Sequence, residues 1–371
     1  MEPSVVHLLV GGAVGGAERL VVDLARIHRA QGMAVSLAVV TPSDDLASFV
    51  ERSGIPQRTL RVRGEHGFAY LTQTYGPSVR RFLTRSVREL GGNLVHAHVF
   101  GSHVLSVRVG KALGIPIVRT EHDVAHFEDY SRNTFTRWAM IRTDAVIAIS
   151  SFVHAYLEAH VREIPPLTRV VKNGVSLERF FPAKLPAPDG PLRFLLVSRL
   201  HADKDPELAV RAIASVSGTS LTVLGEGALK EPLMVLARNL AAGDRIHFAG
   251  HVTDPERFMA ESEVVISTTP RECFGLAAVE AQARGRVVLA TRGGGIEDVI
   301  APGASVIVPR NLEDLSAAVR KLKGERDTLE ARGAEAARYV ATRFPIERTA
   351  AGYADVYREV LRLPHLRAAR P

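Results

Sequence analysis

The sequence predicts an α/β protein built from two doubly wound, Rossmann-like parallel-sheet domains. Three observations predict it. Short apolar runs alternate with helical patterns almost from end to end, the pattern of parallel strands joined by crossover helices. The 371 residues suit two domains at roughly 150 residues each. One break interrupts the alternation: four prolines stand between Pro182 and Pro191, a density that neither a helix nor a central strand survives. The predicted boundaries are therefore residues 1–182 and 190–344, with a last helix over 345–363.

Taken in order, Val5–Val10 reads as a strand and Ala17–Arg29 as a helix with Leu20, Val21, Leu24 and Ile27 on one face. Ala34–Val40, Leu94–Ala97, Ile115–Arg119, Ala145–Ile149 and Arg169–Val171 continue the first set of strands. Phe194–Ser198, Leu221–Leu224, Ile246–Ala249, Val264–Ser267 and Val287–Ala290 form the second set. In the last stretch Ala350, Tyr353, Val356, Tyr357 and Val360 recur at helical spacing.

Composition narrows the function classes. At 46% hydrophobic and 23% charged residues, the chain has an ordinary globular balance and is not disordered. The one cysteine, Cys273, excludes a disulfide framework and a thiolate metal cluster. No uncharged apolar run reaches the ~18 residues of a spanning helix. Val5–Ala17 is broken by four glycines, and Glu2 gives the wrong charge for a signal peptide. The expected location is cytoplasmic. The net charge of +7 lies almost wholly in the first half, which points to an anionic partner there. Without zinc-finger spacing or an aromatic, basic RNA-binding strand, nucleic acid is the least favoured such partner.

The first strand runs into Gly11-Gly12-Ala13-Val14-Gly15-Gly16, a turn whose amides can approach an anion at a helix start. It is not a dinucleotide fingerprint, and Val39-Val40-Thr41 lacks the acid that would hold an adenosine ribose. In the second half, the strand ending at Ser267 leads into a loop containing Glu272, and a helix follows with Glu280 about two turns on. Both acids belong near the carboxyl edge of a parallel sheet, where ligands bind. An ionised carboxylate accepts the hydrogen bonds that sugar hydroxyls donate.

Glu272 and Glu280, followed by Ala281-Gln-Ala-Arg-Gly285 and Thr291-Arg-Gly293-Gly294-Gly295-Ile-Glu297, resemble the donor-site signature of glycosyltransferase family 4. Ser198-Arg199-Leu200 with Lys204 resembles that family's arginine and lysine pair. Lys172-Asn173-Gly174-Val175 with Phe180, and Thr120-Glu121-His122-Asp123, resemble two more of its segments. Gly225-Glu226-Gly227, Gly250 and the opening glycine turn fit as well. Each motif is weak alone; their order along most of the chain makes the resemblance specific. Cys273, Arg286 and Ser176 depart from the usual glycine, proline and aspartate, and none removes a charge the chemistry needs.

The resemblance implies a GT-B fold, two Rossmann-like domains facing across a cleft, with the final helix returning to the first domain. It implies a retaining transfer of sugar from a nucleotide-diphosphate donor, UDP being favoured over GDP on prevalence, to an acceptor hydroxyl. Arg199 and Lys204 would hold the diphosphate, Glu280 the ribose hydroxyls and Glu272 the donor sugar. The amides of Phe274, Gly275 and Leu276, with Gly15, Gly16 and Asn173, would add donor contacts. His122 would approach the sugar from the first domain. No covalent residue, resident cofactor or metal is expected.

Three segments admit other readings. Asp203-Lys204-Asp205 spells a metal-binding D-x-D, but Pro206 favours a helix start there. His96-Ala97-His98 puts two imidazoles on one strand face, yet the sequence offers no third ligand, so a polar wall is expected instead. Ser78–Arg88 reads as an amphipathic basic helix, either packed on its own sheet or resting on an anionic membrane. Two other functions stand beside the transferase: a nucleotide-sugar epimerase on the same fold, and a non-catalytic anion- or glycan-binding protein.

Overall fold

The computed structural model describes residues 2–12, 14–63, 74–162 and 164–363. They form two compact units, Met1–Asn173 with Ile346–Pro371, and Gly174–Pro345.

The first unit holds a seven-stranded parallel sheet in the order β3-β2-β1-β4-β5-β6-β7. Its strands are β1 (Ser4–Val10), β2 (Ala34–Thr41), β3 (Gln57–Arg61), β4 (Leu94–Ala97), β5 (Ile117–Glu121), β6 (Ala145–Ala148) and β7 (Leu167–Val170). The second unit holds six parallel strands in the order β10-β9-β8-β11-β12-β13. These are β8 (Leu192–Val197), β9 (Thr219–Leu224), β10 (Ile246–Gly250), β11 (Val264–Ser267), β12 (Val287–Thr291) and β13 (Val306–Val308). In both sheets the order reverses beside the first strand, between β1 and β4 and between β8 and β11. Those are the switch points where crossover loops part and leave a crevice. Two strands were not legible in the sequence. β3 is a polar edge strand, Gln-Arg-Thr-Leu-Arg, and β13 has three residues.

The chain passes between the units at Asn173 and Gly174, not at the prolines. The expected linker, Pro182–Pro191, is fastened within the second unit. Arg284 donates to the Phe181 carbonyl at 2.8 Å, Arg286 to that of Lys184 at 2.9 Å, and Arg326 to that of Gly190 at 2.8 Å. Proline removes N–H donors but leaves the carbonyls, and these guanidiniums, with that of Arg193 at Ala187, collect them. The last helix, Ile346–Leu361, packs into the first unit's core through Ala350, Tyr353, Val356, Tyr357 and Val360. His28 Nε2 lies 2.8 Å from the Ala350 carbonyl. No helix of the described residues is long and apolar enough to cross a membrane.

Candidate active site

In the second unit the loops after β8 and β11 share the switch point. After β8 the chain turns through Ser198-Arg199-Leu200 and a short 3-10 segment, Ala202–Lys204, before the helix Pro206–Ala214 opens with proline in its first turn. After β11 it runs through Glu272 to Gly275, which caps the helix Leu276–Ala283 in the left-handed region. The Nζ of Lys204 lies 3.4 Å from Oε2 of Glu272, both side chains about one-fifth exposed. Thr268 Oγ1 donates to the Asp205 carbonyl at 2.7 Å and ties one loop to the other.

Glycines hold these loops in place by close backbone approach. At Gly225 (φ +133°) an added Cβ would strike the Ser198 carbonyl, and at Gly293 (φ +157°) it would strike the Pro270 carbonyl. The approach serves hydrogen bonds: Leu200 N to Glu226 O at 2.9 Å, and Gly295 N to Glu272 O at 2.5 Å. A side chain at either glycine would push Arg199 or Glu272 away from the crevice.

The remaining predicted residues of this unit are placed as follows. Arg199 is exposed and reaches Asp203 at 3.1 Å. Phe274 is buried and meets Phe344 edge to face at 6.0 Å. Leu276 begins the helix, and its amide is among the first-turn N–H groups that lack an intrahelical acceptor. Glu280 lies on the same helix, partly exposed. The D-x-D carboxylates are both held by arginines, Asp203 by Arg199 and Asp205 by Arg310 at 2.6 Å. Arg310 is a member that no local motif announced.

In the first unit the glycine turn follows β1; Ala13 lies outside the described residues. The Gly15 amide donates to Glu18 Oε2 at 2.9 Å, so an internal carboxylate already occupies it, and Gly16 opens the helix Gly16–Ala30. Asn173 is buried at 4% exposure, and among the described residues its Oδ1 has no hydrogen-bond partner. His122 follows β5 directly. Burial, with the Arg119 guanidinium nearby, lowers its pKa to about 4, so the ring is neutral at pH 7.

The topology adds to the histidine set one member that the sequence could not place. β1 pairs with β4 so that His7 stands opposite His96. Ligand atoms of His7, His96 and His98 lie within 4.8 Å of one another, which supplies the third imidazole missing from the linear motif. These nitrogens are largely engaged already. His96 meets Tyr357 and Thr120 hydroxyls at 2.7 and 2.8 Å, and His98 meets His7 at 2.8 Å and His122 at 3.3 Å.

The family model described as Glycosyltransferase Family 4 matches residues 14–179, and that for Glycosyl transferases group 1 matches residues 178–339. A D-inositol 3-phosphate glycosyltransferase of Streptomyces bingchenggensis is 30% identical over 309 residues, 73% of this chain and 67% of that one. The chain belongs to glycosyltransferase family 4. A protein of the same description from Nocardiopsis dassonvillei is 28% identical over 389 residues, 94% of this chain and 90% of its own. The crystal structure of Anabaena Alr3699/HepE in complex with UDP and glucose superposes with a TM-score of 0.80 at 20% identity, over 95% of this chain and 99% of that one. The glycosyltransferase thus has the GT-B fold, and in its second unit Lys204 and Glu272, two residues that the family resemblance singled out, meet beside β8 and β11.

Proposed function

We propose that this glycosyltransferase moves a sugar from a nucleotide-diphosphate donor, UDP before GDP, to an acceptor hydroxyl with retention of anomeric configuration. The observation that carries the reading is the Lys204–Glu272 pair at the switch point, 3.4 Å apart. A cation and an acid side by side suit a ligand that is phosphate at one end and sugar at the other. Support comes also from the structural relative crystallised with UDP and glucose.

In this reading Arg199 and Lys204 hold the diphosphate. Negative charge builds on the leaving group as the glycosidic bond breaks, so cations placed there act most strongly in the transition state. The open amides of Phe274, Gly275 and Leu276 add donors at a helix start. Glu280 takes the ribose hydroxyls and Glu272 the sugar, as acceptors. His122, neutral, meets the sugar, with Asn173, Gly15 and Gly16 as further donor contacts. For Gly15, Glu18 must first yield its amide. The leaving phosphate takes the acceptor proton, and no protein nucleophile or metal is required.

The excess of basic residues in the first half and the D-inositol 3-phosphate in the Streptomyces relative's name favour an anionic acceptor. The basic helix Pro77–Glu89 extends the reading to the cytoplasmic face of an anionic membrane. Its apolar residues Val79, Leu83 and Val87 are buried in the first unit's core, leaving the arginines as the contact.

Thermal denaturation with UDP-, GDP-, ADP- and dTDP-sugars tests the donor, since a ligand of the folded state raises apparent stability. The expected result is a UDP-sugar shift that is lost in Lys204→Ala. The anomeric proton coupling of the product then reads retention, and an inverted product would overturn the mechanism.

A further inference from the structure

Behind His122 three imidazoles stand in a row. His122 Nε2 lies 3.3 Å from His98 Nδ1, and His98 Nε2 lies 2.8 Å from His7 Nδ1. The two inner rings cannot turn away. His7 and His98 are 0% and 1% exposed, and the His98 ring lies 4.1 Å from that of His96, which hydroxyls hold at both nitrogens. Close-packed interiors fix such rings in one rotamer.

All three rings are neutral near pH 7. Burial lowers the pKa of His7 to about 3, that of His122 to about 4, and that of His98 well below its usual value. A neutral imidazole carries one proton, and each contact between two ring nitrogens needs one. Only two patterns satisfy both contacts. Either His7 donates from Nδ1, His98 from Nδ1, and His122 keeps its proton on Nδ1; or every proton sits on Nε2 and the chain runs inward. The far end decides between them. His7 Nε2 is buried with no partner among the described residues. The inward pattern would leave an N–H stranded there, and buried N–H groups without an acceptor are rarer than under-satisfied acceptors. The outward pattern leaves only a lone pair.

We propose that His98 and His7 are positioning residues that hold His122 protonated on Nδ1, so that it meets the sugar as a hydrogen-bond donor. This rests on the assignment of His122 to the donor sugar. Among the described residues the one hydrogen bond given for His122 is at Nε2, and the residue is only partly buried, which leaves Nδ1 for a ligand. One ring-to-ring chain thus converts an unsatisfied nitrogen deep in the sheet into a fixed polarity at the site.

The test is the nitrogen spectrum of histidine-labelled full-length protein at pH 7.5, with His122 assigned by its loss in His122→Asn. The expected result is a protonated Nδ1 and a bare Nε2 on His122; the reverse tautomer overturns the proposal. In His7→Phe, which keeps ring bulk and removes the donor, His122 should become a mixture of tautomers. Turnover should fall roughly three- to ten-fold, the worth of one neutral hydrogen bond, with little change in donor KM. An unchanged His122 spectrum in that variant also overturns the relay. If the tautomer responds but turnover does not, the relay stands and the placement of His122 at the sugar falls. If His7→Phe does not fold, the wild-type spectrum alone decides.

Discussion

Lys204 and Glu272 are 68 residues apart in sequence, and their charged atoms are 3.4 Å apart at the ends of neighbouring strands. The contact has a consequence for binding. If a diphosphate takes Lys204, the carboxylate next to it becomes a repulsive neighbour until a sugar hydroxyl engages it. Lys204→Ala should lower turnover roughly ten- to a hundred-fold, as loss of a charged hydrogen bond implies, and weaken UDP. Glu272→Gln should tighten UDP a few-fold while lowering turnover, because a like charge is removed beside the phosphates. Calorimetry with UDP on both variants checks this, and unchanged affinity in both would place the diphosphate elsewhere.

The crevice depends on backbone contact that only glycine allows. Gly225→Ala and Gly293→Ala each direct a methyl group at a carbonyl, of Ser198 and Pro270. Each should cost about 1–3 kcal/mol of stability and lower activity further than that loss of folded protein explains. Gly190→Ala is the control, since its left-handed φ of +83° faces open space; it should lose stability alone. Equal loss of specific activity in all three would mean that the close approach does not shape the site.

Buried neutral histidines make the first unit sensitive to acid. The pKa of His7 is about 3 when folded against 6.5 when unfolded, so between those values the unfolded chain binds more protons and stability falls as pH falls. By pH 5 His7 alone removes about 2 kcal/mol. Burial holds His96, His98 and His103 low as well, and they act in the same direction. Denaturant midpoints at pH 7.5, 6 and 5 should fall in that order, and His7→Phe should flatten the slope. A midpoint independent of pH over this range would contradict the burial of these rings.

The helix Pro77–Glu89 should bind anionic vesicles through charge alone. Its arginines Arg80, Arg81, Arg85 and Arg88 are exposed, and its apolar side is committed to the core. Sedimentation with anionic vesicles should disappear on replacing Arg80 and Arg81 with glutamate, and also at high salt, where screening shortens the reach of exposed charge. Equal binding to neutral vesicles would refute the electrostatic reading.

Strand alternation and the order of the glycine and acid motifs were enough to derive two parallel sheets and the residues at the second switch point. Both signals are local, because a buried parallel strand is a run of apolar residues and a tight turn needs glycine wherever it occurs. The prolines misled for the same reason. They mark irregular backbone, but whether that backbone links two units or lies on one depends on distant donors, here Arg284, Arg286 and Arg326. Likewise His96 and His98 looked like an incomplete pair until the β1–β4 register brought His7 beside them, and nothing near Asp205 in the sequence announced its ion pair with Arg310. The sequence by itself determined the fold class and the family, since each follows from patterns carried by neighbours in the chain. Which nitrogen meets which, and which carboxylate is already paired, was decided only by the tertiary structure, because hydrogen bonds and ion pairs act over a few ångströms and the chain must fold before its distant segments come that close.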